Sequence, residues 1–162
     1  MKNILVLCTG NSARSILGEA LFNHLGQGRI RAFSAGSQPS GKVNPVALET
    51  LEKHGVPLPE ARSKSWDEFA APGAPEIDYI FTVCASAAGE ACPIWLGHPT
   101  TAHWGIDDPA HVEPLEARRT AFEGAYRKLR QRIEAFVALP LETMNAAEVA
   151  AAAKRIQQES EA

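Results

Sequence analysis

Cys8 ends an apolar run and is followed by Thr9, Gly10, Asn11, Ser12, Ala13, Arg14 and Ser15. A cysteine delivered by a strand into a loop that ends at a helix N-terminus meets backbone N–H groups and the positive end of a helix dipole. Both favour thiolate over thiol. Arg14 can return across the loop and offer a planar fork of donors to a tetrahedral oxyanion, a task lysine does poorly. Gly10 and Asn11 are residue types that tolerate the positive φ of a tight loop, and Ser15 can donate to the sulfur. Taken singly, a strand cysteine and a helix arginine are ordinary residues. The spacing Cys-x5-Arg-Ser between an apolar strand and a helix instead points to nucleophilic attack on an oxyanion held by residues 9–15. A nucleotide-binding loop is a poor competitor, because no Gly-Lys-Ser/Thr follows Gly10.

The elements that must position this loop follow from periodicity. Asn3 to Leu7 reads as a buried parallel strand. Ser15 to Leu25 then places Ile16, Leu17, Ala20, Leu21 and Leu25 at helical spacing, stopped by Gly26 and Gly28. Arg31 to Ala35 is a short second strand, Pro45 to His54 a second helix, Ile77 to Cys84 a third strand, and a fourth fits around His103 and Trp104. Leu115 to Leu139 carries a long amphipathic pattern. Such alternation predicts an α/β fold with a four-stranded parallel sheet and helices on both faces, three layers in all. Residues 1–140 make one domain, and 141–162 a tail that is helical or frayed, since it is alanine-rich with few large apolar residues to dock it.

At 162 residues there is room for a single domain that buries roughly two-thirds of its unfolded surface. A 45% hydrophobic, 22% charged composition with net charge −3 gives no reason to expect nucleic acid or an anionic membrane as partner. The basic residues of the late helix, Arg118 to Arg132, alternate with glutamates and read as a solvated face. The N-terminus lacks the apolar core of a secretory leader, so a cytoplasmic location is expected. Three cysteines are too few for a disulfide framework, and in a reducing compartment they are more often catalytic or metal-binding. The five histidines show no metal-ligand spacing with them, so neither metal nor cofactor is expected.

Over roughly residues 2 to 139 the sequence resembles the low-molecular-weight tyrosine phosphatase superfamily, and more closely its arsenate reductase branch. The resemblance rests on the Cys8 to Ser15 loop, Ser34-Ala35-Gly36, Phe81-Thr82-Val83-Cys84, Ala91-Cys92-Pro93 and His103-Trp104-Gly105-Ile106-Asp107-Asp108-Pro109. It implies a phosphatase-like fold and a general acid at the Asp-Pro pair, Asp108 rather than Asp107. Read without the cysteine loop, Asp107-Asp108-Pro109 is simply a turn. Phosphatases of the family follow that pair with an aromatic that walls the phosphotyrosine slot. Here Ala110 and His111 stand there, which argues for a small inorganic substrate, although Trp95 or Trp104 could still serve as a wall.

A phosphatase cycle needs no second thiol, so Cys84 and Cys92 call for another explanation. Buried or incidental cysteines are one. By the resemblance, the other is a relay in which arsenate esterifies Cys8, Cys84 attacks Cys8 and expels arsenite, and Cys92 attacks Cys84. The new disulfide is then offered to thioredoxin. Ala13 replaces a further loop cysteine of some relatives. The Cys84 to Cys92 spacing is slightly longer than in relatives, which leaves glutaredoxin with glutathione, or mycothiol, open as reductants. In some relatives a potassium ion is held by residues matching Asn11, Glu19 and Ser34; Lys64 falls where an acidic ligand is expected, and its ammonium could replace the ion. Two rival functions remain at this point: a hydrolytic phosphatase, and an oxyanion-binding or redox-sensing module without turnover.

Overall fold

The computed structural model describes residues 1–58, 62–84 and 100–160. Four strands, β1 (Lys2–Cys8), β2 (Ile30–Gly36), β3 (Tyr79–Thr82) and β4 (Thr100–His103), form one sheet in the order β2-β1-β3-β4. All pairs are parallel, with Cys8 opposite Gly36 and Leu7 opposite Thr82. The segments leaving the carboxyl ends of the strands therefore gather along one edge of the sheet, where parallel α/β folds place their sites.

β1 is central and buried on both sides, which is why its sequence is continuously apolar. Ile4, Val6 and Cys8 face the larger core, whereas Leu5 and Leu7 face a smaller one with Ile80. The larger core is covered by α1 (Arg14–Gly26), α2 (Pro45–Lys53), α3 (Leu115–Val137) and α4 (Ala146–Ser160). A one-turn 3-10 helix, Trp66–Phe69, covers the smaller core, its Ser65 Oγ capping the Asp67 N–H. The expected three layers are thus present but unequal. Sequence periodicity did not reveal the short helix, since four residues are too few to show a period.

α1 lies close to β1 because it presents Gly18 to Val6; a Cβ there would come within 2.9 Å of Val6 Cγ1. α2 starts where predicted, with Asn44 Oδ1 accepting from Val46 N and Pro45 in the first turn. β3 is shorter than predicted, four ladder residues, although Ile77 and Cys84 flanking it are buried. At the centre, the Phe81 ring lies 4.3 Å from Trp104, 5.0 Å from Phe136 and 5.2 Å from Phe22, joining β3, the β4 exit, α3 and α1.

The weak docking expected of the tail is not observed. Val149, Ala152, Ala153 and Ile156 of α4 are buried. The alanines that seemed to offer too little apolar bulk permit close approach instead, and the Trp104 indole N–H donates to Ala153 O at 2.9 Å. Among the described residues, no helix is long and apolar enough to cross a membrane.

Phe136→Ala, which empties one side of the aromatic cluster, is expected to lower unfolding free energy by about 3–5 kcal/mol in urea denaturation. A loss below about 1 kcal/mol would show that the cluster is not the centre of the core.

Candidate active site

The loop between β1 and α1 is held from outside by its carbonyls. Thr9 O accepts from Gln38 N, Gly10 O from Ser40 N and Ser12 O from Asn44 N, each at 2.8–3.0 Å. In a trans peptide the N–H points opposite to the C=O, so the N–H groups of Gly10, Asn11 and Ala13 point away from Gln38, Ser40 and Asn44. α1 begins at Arg14 without a side-chain cap, leaving its first amides for an anion. Gly36, opposite Cys8, packs beneath the loop: a Cβ there would fall 2.4 Å from Thr9 O and 2.9 Å from Cys8 O.

Cys8 is a buried free thiol, and its sulfur lies 3.0 Å from Ser15 Oγ. The neighbouring bonds show what Ser15 Oγ already accepts. Glu19 accepts from Ser34 Oγ at 2.9 Å, so the Ser34 proton is committed to the carboxylate. Asn11 Nδ2 donates to Ser34 Oγ at 3.0 Å and to Ser15 Oγ at 2.8 Å. Ser15 Oγ is thereby an acceptor from Asn11 and keeps its own proton available to donate to Cys8 Sγ. Asn11 has the left-handed φ of 45° that its type tolerates, and its Oδ1 accepts from Lys64 N at 2.8 Å.

Lys64 and Glu19 end this chain as a buried pair, 3.6 Å apart. Burial raises the Glu19 carboxyl above its ordinary range, opposed chiefly by the Lys64 charge. Burial likewise lowers the Lys64 ammonium, opposed chiefly by Glu19. Lys64 Nζ also donates to Arg62 O at 3.0 Å. The residues named for a bound potassium, Asn11, Glu19 and Ser34, are thus joined to one another and to Lys64. Among the described residues, no three His, Cys, Asp or Glu side chains gather as a metal site.

Arg14 is 4% exposed and reaches across to the segment after β4, donating through Nη1 to Ile106 O at 3.0 Å, with Nη2 3.7 Å from Asp108 Oδ2. Asp108 Oδ1 accepts from Ala110 N, which fixes the carboxylate's orientation, while Asp107 is exposed. The loop, Arg14 and Asp108 are therefore together. The Ile106 carbonyl that holds Arg14 had no sequence signature, being a backbone atom 92 residues away. Trp104 cannot wall the site: its side chain is fully buried in the aromatic cluster.

Cys84 leaves the end of β3 two residues beyond Thr82, the partner of Leu7, so it exits beside the strand that carries Cys8. It is buried and disulfide-bonded. Cys92 and Trp95 lie outside the described residues.

The family described as low molecular weight phosphotyrosine protein phosphatase matches residues 3–151. An arsenate reductase of Bacillus licheniformis is 36% identical over 137 residues, 83% of this chain and 94% of that protein. The crystal structure of an arsenate reductase from Archaeoglobus fulgidus is similar with a TM-score of 0.67 at 25% identity, over 84% of this chain and 99% of its own. A thioredoxin-dependent arsenate reductase of Corynebacterium glutamicum gives 0.55 at 25% identity, over 83% of this chain and 62% of its own.

Lys64→Met leaves Glu19 buried without its cation, which is expected to cost about 3 kcal/mol of stability near pH 8. A carboxyl raised in the folded state contributes stability that is full below its unfolded value and is lost as pH rises through its folded one. The deficit of Lys64→Met should therefore shrink on acidification toward about pH 5 as Glu19 takes up a proton. Denaturation curves across this range would show a constant deficit if the pair were not coupled.

Proposed function

Because the chain belongs to the low molecular weight phosphotyrosine protein phosphatase family, we propose that it uses the shared oxyanion loop to reduce arsenate to arsenite. The observation that carries this reading is the disulfide on Cys84 beside a free Cys8 in the loop. Hydrolysis of a phosphoester has no use for a disulfide there, whereas a thiol relay leaves one at each turnover. The naming of similar proteins as arsenate reductases supports the same choice.

In this mechanism arsenate enters the loop, where the amides of residues 9–15 and the Arg14 guanidinium hold its oxygens. Cys8 thiolate attacks arsenic, a sulfur–arsenic bond forms, and one oxygen leaves as water with a proton supplied by Asp108. The Cys84 thiolate then attacks Cys8 Sγ. A Cys8–Cys84 disulfide forms as the sulfur–arsenic bond breaks, and its electron pair stays with arsenic, so As(V) becomes As(III) while two thiols are oxidised. Ser15, whose hydroxyl lies 3.0 Å from the sulfur and can donate to it, and the α1 N-terminus are the features that favour Cys8 as the leaving thiolate when Cys92 attacks Cys84 in turn. The Cys84–Cys92 disulfide is finally reduced by an external dithiol. Thioredoxin is the proposed partner, supported by the thioredoxin-dependent relative, with glutaredoxin and glutathione as the alternative. The chemistry suits a reducing cytoplasm, where Cys8 stays free, and residues 1–140 form the catalytic domain.

The deciding experiment measures arsenite formation with thioredoxin, thioredoxin reductase and NADPH beside p-nitrophenyl phosphate hydrolysis. Cys8→Ser should abolish both activities, and Asp108→Asn should lower kcat about 10²-fold. Cys84→Ser should stop arsenite production yet spare hydrolysis. Full multiple-turnover reduction by Cys84→Ser would refute the relay, and hydrolysis without any arsenite from the wild type would mean a phosphatase.

A further inference from the structure

Trp104, Gly105 and Ile106 stand between the end of the sheet and Asp108, and each is fixed by a different part of the chain. Backbone bonds join Trp104 N to Thr82 O at 2.7 Å and Ile106 N to Val83 O at 3.1 Å, extending the β3–β4 ladder to the residue before Cys84. From the other side, Trp104 Nε1 reaches Ala153 O in the middle of α4. Arg132, fully buried on α3, donates through Nη1 to Gly105 O at 3.4 Å and through Nε to Ser160 Oγ at 2.8 Å, at the last turn of α4. Ser160 Oγ in turn donates to Gln157 O. The next residue, Ile106, carries the carbonyl that holds Arg14, and Asp108 follows two residues later.

We propose that α4 is a brace for the oxyanion site: by fixing Trp104 and Gly105 it sets the position of Ile106 O, and through it the aim of the Arg14 fork and the approach of Asp108. Trp104 and Arg132 are then positioning residues that act through Ile106 and touch no substrate. Three features support this over simple packing. The contacts to Trp104 and Gly105 are directional hydrogen bonds as well as apolar burial. They fall on the two residues immediately before the one that holds Arg14. A glycine at 105 also brings no side chain that could fix this segment by itself, so its place depends on what its backbone meets. The Cys8–Ser15–Asn11–Lys64 chain receives nothing from α4 among the contacts described above. The brace should thus affect the hold on the oxyanion more than the reactivity of the sulfur.

This inference rests on the reading of the loop as an oxyanion site, and it is tested without turnover. Two variants of the full chain are compared with wild type. Trp104→Phe keeps an aromatic in the cluster and removes the N–H donor. Ala153→Glu forces a charge into the α4 face and undocks the helix from its own side. Affinity for inorganic phosphate is measured by calorimetry, and the rate of Cys8 carboxamidomethylation by iodoacetamide is followed by peptide mapping without added reductant. Both variants are expected to bind phosphate about tenfold more weakly, as when one charge-assisted hydrogen bond is misaligned. Alkylation of Cys8 should stay within about threefold of wild type, because Ser15 and the helix dipole are untouched. Unchanged phosphate affinity in both variants would overturn the brace alone. So would alkylation that slows in step with binding, because the loop would then be loosened as a whole. A wild type that binds no phosphate would instead overturn the oxyanion reading, and the brace with it.

Discussion

Asn11 commits both amide protons and its carbonyl oxygen to three separate parts of the chain, at zero exposure and in a left-handed backbone conformation. A buried amide left without a partner costs about 1–3 kcal/mol, so Ser15, Ser34 and the backbone of Lys64 are bound to their places as firmly as Asn11 is to its own. The left-handed φ persists for the same reason: three bonds over-determine it. The shape of the loop, the place of the Ser15 hydroxyl beside Cys8 and the depth at which Lys64 lies all depend on this one side chain. The pair at the far end of the chain depends on it in return. Lys64 is drawn inward by its own backbone bond to Asn11, and Glu19 is the carboxylate that opposes the effect of burial on its ammonium there.

What could be read from the sequence was what neighbours in the chain decide. Cys8, Gly10, Asn11, Arg14 and Ser15 lie within eight residues, and their types and spacing alone pointed to a loop between strand and helix, which is where the structure has them. The strands and helices were legible because burial on one face or two imposes a period, and α2 began at its cap. The misses share a physical cause. The bond from Arg14 to Ile106 O spans 92 residues and that from Lys64 N to Asn11 spans 53, and both use backbone atoms, which every residue has. Trp104 was considered as a wall because aromatics often line slots, but nothing local distinguishes a slot from a core. The tail was undervalued for a related reason: counting large apolar residues overlooks how closely alanines let a helix approach an indole. Asp108 could be preferred over Asp107 only through the resemblance. The structure adds a geometric distinction between them, since one faces Arg14 and the other is exposed.

The parallel sheet supplies convergence at little cost in chain length. β1 ends in Cys8, β2 in Gly36 beneath the loop, β3 leads to Cys84, and β4 leads through Trp104 to Asp108. The residues proposed as nucleophile, second thiol and acid, with the glycine beneath the loop, thus leave one edge of one sheet. Their relative placement is set by strand pairing, which is stiff, and their chemistry by the loops, which vary more freely.

Side chains alternate along β1, and Cys8 shares its parity with Ile4 and Val6, not with Leu5 and Leu7. Because that period is two, adding or deleting one residue within the strand would turn the sulfur away from Ser15 toward the smaller core, even if every apolar position were still filled. The strand can therefore be respelled in other apolar letters, but it cannot be lengthened or shortened by one. The gene segment encoding it should accept codon changes far more readily than in-frame insertions or deletions of a single codon.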